Sequence, residues 1–224
     1  MNNMNVKYFF MIIFPRLSLI FFLSCISIGM YLYPGSTYHN YETIGYLFSE
    51  NFLSDLGRTI THGGHNNFHS SILFNTSLIF GGITYIIFYL LIQELFNLNL
   101  VSRLGSLFGV AGGLCMIGVA LTPSDLFFNP HIFFNMWLFR FFLLSTLCYT
   151  WLMYKHKKIN NYYLSGNFVF IIFLLIYILI LMYGPSPHDS YYALIFQAIS
   201  QKIILLNFIL SIIIQTMAYS TIAE

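Results

Sequence analysis

Charge is almost absent from this chain, and where it is absent the side chains run apolar over long stretches. Only 7% of the 224 residues are Asp, Glu, Lys or Arg, while 58% are hydrophobic. A soluble domain carries about 25% charged residues, because its surface must face water. A chain this short of charge has to turn its apolar side chains to lipid instead. A membrane-crossing helix needs ~20 apolar residues in succession, and the sequence supplies six such runs. They are predicted over 17–33, 71–95, 104–121, 132–154, 166–183 and 193–219. Pro34-Gly35, Thr122-Pro123 and Gly184-Pro185 close the first, third and fifth runs, since proline cannot continue a helix. The charged stretch Lys155-His156-Lys157-Lys158 closes the fourth. The expected fold is therefore all-α: a polytopic membrane helix bundle in which residues 1–224 form one integral membrane domain.

Lys7 and Arg16 precede the first run as in a signal peptide, but no small-residue cleavage site follows it. It is expected to stay as an anchor. Lys and Arg in short loops gather on the cytoplasmic side of a membrane. With six spans, Lys7, Arg16, Arg103, Lys155, Lys157 and Lys158 all fall on one side. That side is expected to be cytoplasmic, with both termini on it. The outer side then receives segment 34–70 and the loops around 122–131 and 184–192. The net charge of +2 and the lack of a basic stripe argue against a nucleic-acid partner. Cys25, Cys115 and Cys148 lie within apolar runs and form no disulfide framework. Gly105, Gly109 and Gly113 recur every fourth residue in the third run. That spacing makes a smooth stripe on which another helix packs closely.

The polar residues are divided unevenly between the two sides. Each outer segment receives one of the three aspartates, Asp55, Asp125 and Asp189. Six of the seven histidines, His39, His62, His65, His69, His131 and His188, lie on the same side or at its edge. The positive-inside bias does not require this, because acidic residues contribute little to it. Ser54, Asp55, Asp125, His131 and His188 are thus candidates for one outward polar site, with Asp55, Asp125, His131 and His188 able to serve in acid–base chemistry. The structural alternative is that these aspartates cap turns and helix starts. Arg140 and Lys202 lie inside spans, each roughly 12 Å below the outer ends at 1.5 Å per residue. A charge at that depth is costly unless paired or hydrated, so both are candidates to meet an outer aspartate or a ligand anion. The alternative is that they snorkel to the interface. Asn75 extends the polar set from the second span. No resident cofactor is expected; zinc held by His65, His69 or His131 is the alternative, although no HExxH pattern is present.

Some of these residues also carry a family likeness. Asn51-Phe52-Leu53-Ser54-Asp55-Leu56-Gly57, Leu73-Phe74-Asn75 with Gly81-Gly82, and the glycine-rich third span running into Pro123-Ser124-Asp125 and His131 stand out. Together they resemble the six-span prokaryotic membrane proteins grouped as domain of unknown function 998, themselves similar to the DRAM and Frag families. The resemblance implies six helices, an outward polar site, a basic residue early in the last helix where Lys202 stands, and a bacterial or archaeal plasma membrane. It gives no role to the histidine-rich stretch of the long outer segment. The expected function is a multi-pass membrane protein whose outward pocket engages a lipid or other amphiphile. A membrane-embedded lipid hydrolase, with or without a metal, is the first alternative, and a small transporter is the second.

Overall fold

Long apolar runs with no internal helix breaker satisfy every backbone group within themselves, which is what lipid demands. The computed structural model describes residues 3–223 and contains six helices long and apolar enough to cross a membrane. They are α1 (Asn5–Leu32), α2 (Phe68–Phe96), α3 (Leu100–Leu121), α4 (Phe128–Lys155), α5 (Asn161–Tyr183) and α6 (Tyr191–Ala223). Each packs on its sequence neighbours, and α6 returns against α1. Large apolar side chains such as Ile20, Leu107, Ile172 and Leu206 stand exposed around the bundle, as lipid-facing positions must.

The helices run past the predicted ends, most of all in α1, which begins well before Leu17. Lys7 and Arg16 do not break it because each has a partner on the same end of the bundle. Lys7 pairs with Glu94 at the close of α2, and Arg16 Nε donates to Thr216 Oγ1 of α6 at 2.9 Å. Pro15 has no N–H for the carbonyl one turn earlier. The chain absorbs this with one stretch of wider π-helical turn over Phe9–Ile13, where the Phe14 N–H bonds the Phe9 carbonyl. Asparagines start two helices by accepting backbone N–H bonds: Asn99 from Ser102 and Asn160 from Tyr162, both at 2.9 Å.

Where α2 crosses α3, the two backbones touch. A Cβ placed on Gly82 would lie 2.7 Å from the Gly113 carbonyl, and one on Gly113 would lie 2.9 Å from the Gly82 carbonyl. Gly109 lies under the Tyr89 ring, and Gly112 under Phe142. The glycine stripe thus sets how closely the central helices approach.

The segment between α1 and α2 folds over the outer end of the bundle, the end to which the charge bias assigns the outward face. Its short 3-10 turn, Leu53–Gly57, dips between the helices, with Leu53, Asp55, Leu56 and Gly57 buried. A buried turn needs partners for its carbonyls, and the start of α2 provides them. Asn67 Nδ2 donates to the carbonyls of Asp55, Leu56 and Arg58 at 3.3, 3.1 and 2.8 Å. Ser70 Oγ donates to Leu56, while Ser71 Oγ and Asn75 Nδ2 donate to Gly57, at 3.2, 3.0 and 3.0 Å.

Candidate functional site

The buried turn presents Asp55 at the centre of a hydrogen-bonded cluster. Asp55 Oδ2 accepts from the Phe52 N–H at 2.8 Å and from Asn51 Nδ2 at 3.3 Å. The His62 Nε2–H donates to Asp55 Oδ1 at 3.1 Å. Asn51 is wholly buried and acts as a hub. Its amide donates to the Ser36 carbonyl at 2.8 Å, and its Oδ1 accepts from the Leu47 N–H at 3.0 Å. Lys202 enters the cluster from α6 through the Asn51 carbonyl, to which Nζ donates at 2.6 Å. It also donates to Ala198 O at 3.1 Å and lies 5.1 Å from the Phe48 ring centroid and 5.7 Å from that of Tyr46. The buried ammonium is therefore satisfied by carbonyls and aromatic faces, and it reaches Asp55 by way of Asn51 rather than by an ion pair.

Asp125 does different work. Its carboxylate accepts from the Thr59 N–H at 3.0 Å, from Thr59 Oγ1 at 2.5 Å and from the Ile60 N–H at 3.0 Å. It thereby fastens the outer segment to the α3–α4 loop. Burial by itself raises the Asp125 pKa, but the bonds from Thr59 and Ile60 outweigh it and hold the carboxyl below the usual carboxylate range. A depressed folded-state pKa stabilises the fold above the unfolded value, ~3.9, and that stabilisation is lost as pH falls through the depressed value. Asp125→Asn is expected to lower the melting temperature at pH 7 and to flatten its decline between about pH 5 and pH 2. An acid limb as steep as in the unmutated protein would show that Asp125 carries none of it.

The third segment is latched to the first. Tyr38 hydrogen-bonds His188 Nδ1 and packs its ring edge-on against His62, with 5.4 Å between centroids. His39 Nε2 donates to the Pro187 carbonyl at 2.8 Å, and Tyr191 Oη donates to Glu50 at 2.9 Å. Asp189 caps its own turn through the Ser186 N–H at 3.2 Å. The three outer segments thus meet on one face.

Two cavities open among them. The outer one, of about 740 Å³, is bordered by Tyr38, Asp55, Arg58, His62 and His188, with Leu181, Pro185 and Pro187 opposite. The inner one, of about 120 Å³, lies between the helices against Phe22, Leu78, Tyr85, Leu138 and Phe208. Ser54, His131, Asn135 and Gln201 line both, so these four side chains form a polar collar shared by an apolar chamber and an outer vestibule that mixes charged and polar groups with apolar ones. His131 Nδ1–H donates to the Thr122 carbonyl at 2.8 Å. That bond fixes the tautomer and leaves Nε2 as an acceptor when the ring is neutral. Gln201 Oε1 accepts from the Leu53 N–H at 2.6 Å.

Among the expected residues, Ser54, Asp55, His131 and His188 share the outer cavity, and Lys202 supports it from behind through Asn51. Asp125 and Asn75 are taken up in fastening the loop and the turn. Arg140 stays on its own helix, donating to the Met136 carbonyl at 3.0 Å and lying 5.6 Å from the Trp137 ring centroid. It makes no bond to the cluster among the described residues. His65 and His69 are exposed whereas His131 is buried. Among the described residues no group of three His, Cys, Asp or Glu is placed to hold a metal ion. Arg58, His62 and Asn51 were not among the expected site residues. Arg58 had a usable signal, being the only Lys or Arg in the three outer segments, on the side where the charge bias disfavours it.

Searches of curated proteins and of solved structures return no match to this chain. A family model does match, over residues 20–213, which takes in the buried turn, the outer cavity and Lys202. The chain belongs to the family described as Protein of unknown function (DUF998).

Proposed function

We propose that the protein binds an amphiphile from the outer leaflet, with its polar head in the vestibule and its apolar part in the inner chamber. The observation that carries this reading is the shared collar. A cavity that carries Asp55, Arg58, His62 and His188 and one lined almost wholly by apolar side chains meet at Ser54, His131, Asn135 and Gln201, an arrangement suited to a molecule with a polar head and an apolar tail. The chamber's volume, about 120 Å³, is close to that of an engineered apolar cavity of ~150 Å³ that stays dry and takes up benzene. A short length of acyl chain suits such a space better than water does.

The test is saturable binding of radiolabelled monopalmitoylglycerol to the purified protein in detergent. Leu138→Trp, which fills the chamber without touching the vestibule's polar side chains, is expected to weaken that binding by about tenfold or more. Absence of saturable binding, or equal binding by the variant, would overturn the reading.

One observation favours hydrolysis as a second reading. Asp55 fixes His62 through Nε2, and Thr122 fixes His131 through Nδ1. Each imidazole therefore keeps one nitrogen without a partner among the described residues. Two imidazoles held in set tautomers on one cavity wall are what general acid–base chemistry uses. The same incubation separates the readings. Probe recovered intact means binding alone, whereas free palmitate that disappears with His131→Gln means hydrolysis.

A further inference from the structure

The polar atoms around the vestibule are spent unevenly. Its one lining carboxylate and its Gln201 oxygen are committed. Asp55 receives three donors on its two oxygens, and Gln201 has given its oxygen to the Leu53 N–H. Of the outer carboxylates that do not line the cavity, Asp125 is engaged by Thr59 and Ile60, Asp189 by Ser186 and Glu50 by Tyr191. The donors are left over. Arg58 spends only Nε, on the Ile60 carbonyl at 3.1 Å, and among the described residues its two terminal NH₂ groups bond nothing. It forms no ion pair there either, since those pairs are Lys7–Glu94 and His62–Asp55. The Gln201 NH₂ is likewise unused, because its amide orientation is set by the bond from Leu53. Both residues line the cavity.

We infer that the headgroup taken by this site is anionic, a carboxylate or a phosphate, received by the Arg58 guanidinium with the Gln201 amide below it. The inference rests on the amphiphile reading and adds the charge of the head. A wall whose one carboxylate is spent and whose guanidinium is spare is complementary to an anion and mismatched to a cation. A guanidinium whose two terminal nitrogens are free presents the planar fork that carboxylates and phosphates accept in bidentate fashion. Lys202 is not part of the recognition. Its ammonium is buried against Asn51 and Ala198 and does not border either cavity.

The experiment uses three probes with one chain and different heads: hexadecanol, palmitate and hexadecyl phosphate. Equilibrium binding of each is measured to the full chain in a non-ionic detergent. At least one anion is expected to bind about tenfold or more tighter than hexadecanol, the scale of one charge-assisted hydrogen-bond pair. Arg58→Gln is expected to erase that preference, weakening anion binding far more than hexadecanol binding. Arg58→Lys, which keeps the charge and loses the fork, is expected to fall between. The anion showing the larger preference identifies the head as carboxylate or phosphate. Equal binding of all three by the unmutated protein overturns the inference and leaves the amphiphile reading standing. An Arg58→Gln loss that falls equally on hexadecanol overturns it as well. No saturable binding of any probe overturns both.

Discussion

Asp55→Ala and Lys202→Ala are each expected to destabilise the outer end of the bundle severely, and the double variant is expected to lose less than the sum. Asp55 is 5% exposed and Lys202 is 8% exposed, so water replaces neither side chain fully. Removing the Asp55 carboxylate leaves the Phe52 N–H, the Asn51 amide and the His62 Nε2–H without their acceptor. Breaking one side of a buried charged arrangement typically costs ~3–5 kcal/mol. Removing Lys202 takes the ammonium from the Asn51 carbonyl, where a hydrogen bond to a charged group is worth ~1.5–3 kcal/mol. The two act on one residue: Asn51 receives Lys202 on its carbonyl and donates its side-chain amide to Asp55. Once either is gone, Asn51 is already loosened and the second loss costs less. A coupling of ~0.5–3 kcal/mol is the range for residues in one network. Reversible unfolding in mixed micelles would measure it. Additivity within about 0.5 kcal/mol would mean that Asn51 transmits nothing between them.

This arrangement shows how far the sequence could be read. Apolar runs are a collective property of many residues, so six spans were visible before any contact was known. Their ends were not, because whether Arg16 stops a helix depends on Thr216, two hundred positions later in the chain. The gathering of Asp and His on one side was also visible, and the structure does bring the three outer segments together. The division of labour among them was hidden. Asp55 and Asp125 look equivalent in sequence, each following a serine in a loop. They differ because backbone amides of Thr59 and Ile60 close on Asp125, while Asp55 sits on a turn buried among side chains. Likewise Arg140 and Lys202 lie at similar depths, but only Lys202 meets a carbonyl of the outer segment, that of Asn51 just before the dipping turn. The turn's descent depends on Asn67, Ser70, Ser71 and Asn75 receiving its carbonyls. Those are common residues that announce nothing by their spacing.

Gly113→Leu is expected to be the most damaging single change in the membrane interior. At most helical glycines in this bundle the neighbour that a Cβ would meet is a side chain, which can turn aside at some cost. At Gly113 the nearest atom is the Gly82 carbonyl oxygen, 2.9 Å from where the Cβ would be, with Ile86 at the same distance. The reciprocal contact, from Gly82 to the Gly113 carbonyl, is tighter still at 2.7 Å. Backbone cannot rotate away, so even one methyl would force α2 and α3 apart, and a leucine would force them further. Losses beyond ~4–5 kcal/mol are reserved for lesions of this kind, and folded protein is expected to fall to a small fraction of normal abundance. Leu114→Phe, one position along on the lipid-exposed face, is expected to leave abundance unchanged and serves as the control. The same crossing holds the inner chamber, since Phe74, Leu78 and Gly81 of α2 face it together with Met116 and Val119 of α3. A milder variant, Gly113→Ala, should therefore reach the membrane in reduced amount and bind hexadecanol more weakly than the unmutated protein does. Normal abundance of Gly113→Leu would show that the helices separate at little cost and that the stripe serves something other than packing.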